Sequence, residues 1–175
     1  MKVAIRVDAG RGNGFGHLVR STALTSALLD AGQEVLYFTR TPGPVSDFVH
    51  MEVTVHSLPT ETEAFGEAEA LAVVDALEAG SVDGLVIDSF EADTAYQSAV
   101  RTDTPLSLVL DDARHIVDSD VLVNSNTYAR SVEYEWASSK PTLCLGLEYL
   151  LLRRAFRSEP VLDATDQPRV LIAMG

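Results

Sequence analysis

Between Asp8 and Arg20 the chain carries Gly10, Gly12, Gly14 and Gly16 at alternate positions, and the series ends on His17. Glycine lets a backbone come close to a ligand, and a helix that starts behind such a loop turns unpaired amides toward an anion. The spacing is not the G-x-G-x-x-G of a dinucleotide fingerprint, and no lysine follows as in a phosphate-binding P-loop. A nicotinamide cofactor is therefore not expected, and the run reads as an anion or sugar-phosphate loop. A histidine at the first turn of a helix meets the positive end of the dipole, which disfavours imidazolium. His17 then has the character of a neutral base, able to take a proton from water or a hydroxyl. The bland alternative is a histidine that caps the helix or packs on Phe15. Arg20, one turn further, could reach a phosphate, pair with an acid near the loop, or stand in solvent.

Further candidates sit where apolar runs stop. Asp8, Asp88, Asp111 and Asn124 each follow a short hydrophobic segment. Asp111-Asp112 looks like a metal-binding pair, but neighbouring strand residues point to opposite sides. One ligand contact plus one helix cap fits them better than a shared metal. Asn124, Asn126 and Tyr128 form a polar cluster suited to hydrogen-bonding a sugar or ordering a loop. His50, His56 and His115 lack partners at useful spacing and read as surface or packing residues. No metal ion and no cofactor is expected.

The elements that must hold these groups alternate. Residues 2–7, 34–39, 53–58, 84–88, 106–110, 121–123 and 142–145 read as short strands. From His17 the apolar spacing turns helical, with Leu18, Ala23, Leu24, Ala27, Leu28 and Ala31 as the core-facing stripe and Gly32 as the stop. Pro42-Gly43-Pro44 reads as a turn before a short helix over 45–49. Residues 61–79 read as a helix stopped by Gly80, and 94–101 as another. Apolar strands alternating with helices indicate an α/β fold, a Rossmann-like parallel sheet with helices on both faces. In such sheets ligands bind beyond the carboxyl ends of the strands, so the polar strand ends fall on one edge.

Composition narrows the function classes. At 175 residues, 46% of them hydrophobic, the chain can bury a core as one domain. A formal net charge of -13 argues against a nucleic-acid partner bound through a basic face. Acidic excess with only two lysines, Lys2 and Lys140, fits a surface adapted to high salt and equally an ordinary acidic domain. No apolar run spans a bilayer, and the first residues read as a strand rather than a signal peptide. The single cysteine, Cys144, has no internal disulfide partner, so a reducing, cytoplasmic setting is the default expectation. Residues 170–175 read as a new strand heading into a glycine loop. We therefore expect one domain over 1–167, with 168–175 opening a second, nucleotide-binding domain that is missing here.

Six segments occur in order along the chain: G-F-G-H-L-x-R-S, V-I-D-S-F, L-D-D, V-L-V-N-S-N-x-Y-A, C-L-G-L-E-Y-x-L-L-R-R-x-F and L-I-A-M-G. Together they resemble the pseudaminic-acid pathway hydrolases that remove UDP from a 2,4-diacetamido-trideoxy sugar, and the similar spore-coat polysaccharide biosynthesis proteins. The resemblance implies the N-terminal half of a two-domain glycosyltransferase-B architecture, related to the MurG-type transferases. It implies that this half supplies the catalytic histidine and most sugar contacts, while the C-terminal half binds most of the nucleotide. It also implies inverting hydrolysis, with the family's G-x-G-H histidine falling on His17. Gly14, Phe15, Gly16, Arg20, Asp88, Phe90, Asp112, Asn124, Asn126 and Tyr128 are the expected substrate-binding set. The chain departs from the pattern at Ser89-Phe90, where the hydrolases carry His-Tyr. That loss of a hydroxyl leaves the identity of the sugar open, because a site built for one hydrogen-bond pattern discriminates against others.

Three functions fit these residues: a UDP-sugar hydrolase, an inverting glycosyltransferase in which His17 deprotonates an acceptor, or a non-catalytic sugar- or partner-binding domain. In isolation the chain is expected to turn over poorly and, with an apolar domain face exposed, to dimerise.

Overall fold

The computed structural model describes residues 1–10 and 14–156. Among these residues, seven strands form one wholly parallel sheet. They are β1 (Lys2–Arg6), β2 (Glu34–Thr39), β3 (Thr54–Ser57), β4 (Gly84–Asp88), β5 (Leu106–Val109), β6 (Val121–Asn124) and β7 (Thr142–Leu145). Their order is β3-β2-β1-β4-β5-β6-β7. The chain therefore runs outward from β1 in one direction and resumes on its other side with β4. That reversal opens a crevice between the carboxyl ends of β1 and β4, where open α/β sheets place their ligands.

Strand residues alternate between two cores. Ala4, Phe38, Leu85, Ile87, Leu106, Leu108 and Leu122 face one side. Ala70, Val73 and Leu77 of α3 (Glu67–Gly80) and Tyr96 of α4 (Thr94–Ala99) cover it. Ile5, Val7, Val35 and Tyr37 face the other, beneath Leu18 of α1 (Gly16–Asp30) and Val45 of α2 (Pro42–Phe48). The expected parallel sheet with helices on both faces is what forms.

Several local expectations need correction. Of the α1 stripe, Leu18 and Ala23 are buried and Leu24 and Leu28 pack half-buried on the same core, but Ala31 is exposed and Ser21, Thr22 and Thr25 join the buried face. Its hydroxyls tolerate burial where they find partners. Thr25 Oγ1 lies 2.6 Å from Tyr37 Oη, and Thr22 Oγ1 donates to the Val19 carbonyl at 2.8 Å. Pro42-Gly43-Pro44 is no separate turn but the first turn of α2, where the N–H that proline lacks has no intrahelical acceptor anyway. The helix read over 61–79 begins only at Glu67, because Phe65 turns left-handed (φ 54°) to drop its ring into the core. Gly80 is its last helical residue, and the left-handed cap that stops it is Ser81. Gly32 does close α1, with φ 73°. No described helix is long and apolar enough to cross a membrane. The strand expected at 170–175 and the boundary at 167/168 lie outside the described residues.

Candidate active site

The site assembles from three strand ends and the start of α1. Gly10 and Gly14, with φ of 117° and 69°, bridge each other through two reciprocal backbone bonds, Gly10 N–H to Gly14 O at 3.0 Å and the reverse at 2.9 Å. Behind this pinched loop, α1 starts with no side-chain cap and no acid in its first turn. Among the described residues, no side chain claims its leading amides or its positive dipole end. His17 sits on that first turn.

Asp88 closes β4 at the switch point, with only 1% of its side chain exposed. His17 Nδ1 lies 2.6 Å from Asp88 Oδ1. Arg20 grips the same carboxylate with two bonds, Nε to Oδ2 at 2.9 Å and Nη2 to Oδ1 at 2.6 Å. A carboxylate held by a bidentate guanidinium is ionised and accepts only. The network thus assigns the proton to Nδ1, pointing at Asp88, and leaves the lone pair on Nε2. Arg20 Nη2 also approaches Nδ1 at 3.2 Å, but an unprotonated Nδ1 would set two acceptors face to face across the 2.6 Å contact with Asp88 Oδ1. This is a histidine oriented by a buried acid, the arrangement that makes imidazole a competent base.

Arg20 extends the network. Its Nη1 donates to Asp111 Oδ1 at 2.7 Å. Burial pulls the guanidinium pKa down, but the bonds and charges of Asp88 and Asp111 outweigh it and raise the value above its ordinary level. Asp111 Oδ1 also accepts from Asn126 Nδ2 at 3.1 Å, and Asn126 Nδ2 lies 2.9 Å from Asn124 Oδ1. Asn124, fully buried, donates to Tyr134 Oη at 2.8 Å. Tyr128 Oη donates to the Asp111 carbonyl at 3.1 Å.

Phe90 is the apolar element. Its ring meets His17 edge-on at 4.6 Å between centroids, and the Arg114 guanidinium lies 4.7 Å from its centre. Its carbonyl is 3.1 Å from His115 Nε2. A cavity of about 390 Å³ is lined by Asp8, His17, Asp88, Ser89, Phe90, Glu91 and Arg114. A second, of about 310 Å³, is lined by Gly16, His17, Arg20, Phe90 and Asp111. His17 and Phe90 line both cavities.

Asp8 belongs to a second network beneath the first cavity. Arg6, fully buried, donates through Nη2 to Asp8 Oδ2 and through Nε to Glu69 Oε1, both at 2.8 Å. Burial pushes the Asp8 carboxyl up, but Arg6, the Arg40 amide and the Thr39 hydroxyl together hold it below the ordinary carboxylate value. Glu69 also accepts from Tyr96 Oη at 3.0 Å, the Phe65 amide at 3.2 Å and Arg40 Nη1 at 3.3 Å.

Of the expected site residues, Gly16, His17, Arg20, Asp88 and Phe90 meet around the two cavities. Asn124 and Asn126 stand behind them as supports, and Tyr128, half of it exposed, braces Asp111. Asp112 turns away to a bidentate pair with Arg114, a bond that holds its carboxyl below the usual range. Neither aspartate caps a helix, because the chain runs from β5 to β6 with no helix between them. Gly14 and Phe15 line neither cavity; Phe15 packs on Phe48 at 5.8 Å. The solvated reading of Arg20 fails, since its polar atoms are claimed by Asp88 and Asp111. His115 is more than packing, as it holds the Phe90 loop. Among the described residues, no group of three or more His, Cys, Asp or Glu is placed to hold a metal.

Glu91 and Arg114 were not expected at the site, and Asp8 and Asp111 were expected only as polar strand ends, outside the substrate-binding set. Strand parity flags Asp111: Leu108 and Leu110 face the α3 side, so residue 111 turns toward α1. Nothing in local sequence marks Glu91 or Arg114.

Two solved glycosyltransferase chains share this geometry of fold. One is MurG of Acinetobacter baumannii, with a TM-score of 0.58 at 13% identity over 83% of this chain and 45% of its own. The other is a glycosyltransferase from Rickettsia africae, with a TM-score of 0.57 at 12% identity over 82% of this chain and 42% of its own. The fold is that of a glycosyltransferase-B domain. The curated UDP-2,4-diacetamido-2,4,6-trideoxy-beta-L-altropyranose hydrolase of Campylobacter jejuni is 24% identical over 177 residues. That match covers the whole of this chain and 60% of the relative's length. No protein-family model matches the chain.

Proposed function

We propose that this domain supplies the catalytic base of a sugar-nucleotide hydrolase, releasing UDP from a UDP-linked diacetamido-trideoxy sugar in surface-polysaccharide or nonulosonic-acid biosynthesis. The observation that carries the reading is the 2.6 Å His17–Asp88 contact at the sheet's switch point, opening onto a cavity large enough for a sugar ring. Likeness to the Campylobacter hydrolase along the whole chain supports the substrate class. In the proposed step water attacks the anomeric carbon and His17 Nε2 takes its proton. The new C–O bond forms as the bond to the phosphate oxygen breaks, its electron pair leaves with UDP, and the centre inverts. Asp88, held ionised by Arg20, keeps the imidazole aimed and stabilises the imidazolium without accepting the proton. The Phe90 ring excludes water from one side of the base, and the leading amides of α1 favour the developing negative charge.

The chain spans 60% of that relative's length, so the nucleotide contacts of the second half enter the proposal as a partner domain. The test uses the full-length gene product with the UDP-diacetamido-trideoxy sugar and no acceptor. Released UDP is expected, with kcat falling about 10²–10⁴-fold in His17→Ala. Release only on adding an acceptor alcohol would make the enzyme a transferase. Undiminished turnover in His17→Ala would leave the histidine a structural residue and end the catalytic reading.

A further inference from the structure

Asp111 lies outside the His17–Asp88 pair yet is bonded to the side chain that holds it. Its Oδ1 takes Arg20 Nη1 at 2.7 Å and Asn126 Nδ2 at 3.1 Å, and 29% of its side chain is exposed. Arg20 is thereby stretched between two carboxylates at adjacent strand ends, Asp88 closing β4 and Asp111 just after β5. Its remaining groups, Nε and Nη2, can address Asp88 in only one orientation, because the guanidinium is planar and Nη1 is fixed. Asp88 is thus denied rotation, and its Oδ1 stays at the 2.6 Å distance from Nδ1. Asn126 is in turn oriented by Asn124.

The charges have a direction as well as a geometry. With His17 neutral, the cluster of His17, Arg20, Asp88 and Asp111 carries one net negative charge; when His17 gains a proton the cluster becomes neutral. Without Asp111 it would pass from neutral to positive in a partly dehydrated crevice, which is the costlier change. Among the described residues, the other charged groups facing the crevice are Asp8, which follows β1, Glu91 from the loop after β4, and Arg114 with its partner Asp112 after β5. None of them bonds to Arg20.

We infer that Asp111 is a positioning residue, which fixes Asp88 through Arg20 and supplies the negative charge against which His17 takes up its proton. The inference rests on His17 acting as the base. Its test is the pH profile of kcat/KM for UDP release by the full-length gene product, in three variants. Asp111→Asn keeps the acceptor oxygen for Arg20 and removes the charge. Its acidic limb is expected about 0.5–1 pH unit lower than in the wild type. Arg20→Gln removes the opposing charge, and its limb is expected to move the other way. Asn126→Ala leaves every charge in place and loosens Asp111. In that variant kcat falls several-fold while the limb stays where it was.

Opposite shifts in the first two variants are a result that simple destabilisation does not produce. If Asp111→Asn does not fold, Arg20→Gln and Asn126→Ala still decide the matter. Identical limbs in all folded variants overturn the inference. The His17→Ala enzyme separates the two levels. If it stays active, the base reading itself has failed. If it is dead while Asp111→Asn keeps the wild-type limb, only the role of Asp111 has failed.

Discussion

Replacing Glu69 by alanine is the sharpest stability test of this fold. The Glu69 side chain is fully buried and its two oxygens accept four donors: Arg6 Nε, Tyr96 Oη, the Phe65 amide and Arg40 Nη1. Alanine leaves the fully buried Arg6 with Asp8 as its remaining ionic partner, and strips the Phe65 amide and the Tyr96 hydroxyl of their acceptor. Breaking a buried ion pair from one side costs about 3–5 kcal/mol, and an orphaned buried donor about 1–3 kcal/mol. These losses share one network and do not add. The surviving Asp8 contact further limits the damage, so the expected cost is about 3–5 kcal/mol, a large part of a typical domain's stability. Burial also pushes the Tyr96 hydroxyl upward in pKa, so it stays a protonated donor at neutral pH and cannot offset the lost carboxylate. Urea denaturation followed by circular dichroism measures the change, read from the midpoint at unchanged m-value. A loss below about 1 kcal/mol would mean that water reaches Arg6, and would refute the claim that this network is sealed.

Two further outcomes follow from named contacts. Asp8 has a lowered folded-state pKa, so its contribution is complete above its unfolded value near 3.9 and is lost as pH falls through the folded value. Denaturation between pH 7 and pH 3 is expected to show acid destabilisation below about pH 4, which flattens in Asp8→Asn, itself less stable at pH 7. Gly146 has φ 108°, and a Cβ there would lie 2.7 Å from Glu148 Oε2. Gly146→Ala is expected to cost about 1–3 kcal/mol by thermal or chemical melting, and a neutral result would show that the turn after β7 relaxes freely.

The sheet was legible because its signals are local. Buried parallel strands are short apolar runs bounded by polar residues, and 34–39, 84–88 and 142–145 were read at the bounds they adopt. His17 was legible for the same reason, since a glycine loop and a helix start lie on either side of it. What failed locally needed distant residues to decide. The helix read from 61 starts at Glu67 because Phe65 is drawn into a core made by β2 and α4. The α1 stripe admits Thr25 because Tyr37, twelve residues on, offers a hydroxyl. Arg20 looked like a solvated residue because its acids lie 68 and 91 positions away. Asp111 and Asp112 differ only in strand parity, so the choice between them depends on which side α1 occupies. The same distance hides Glu69, a carboxylate on an alanine-rich helix whose buried partner is 63 residues upstream.

The strand order has a consequence for the order of assembly during synthesis. β1, α1 and β2 can pack as soon as they leave the ribosome, and they seat His17 on its helix. Its partner Asp88 is 71 residues later, and β4 must slot in on the far side of β1 before the two meet. At typical translation speeds that wait is roughly 4–14 seconds. Throughout it, the β1 edge and the face later covered by α3 stand open, an invitation to chaperones or to misplaced neighbours. The His17–Asp88 contact therefore closes late, and a nascent chain that has made it has already threaded its central strand correctly.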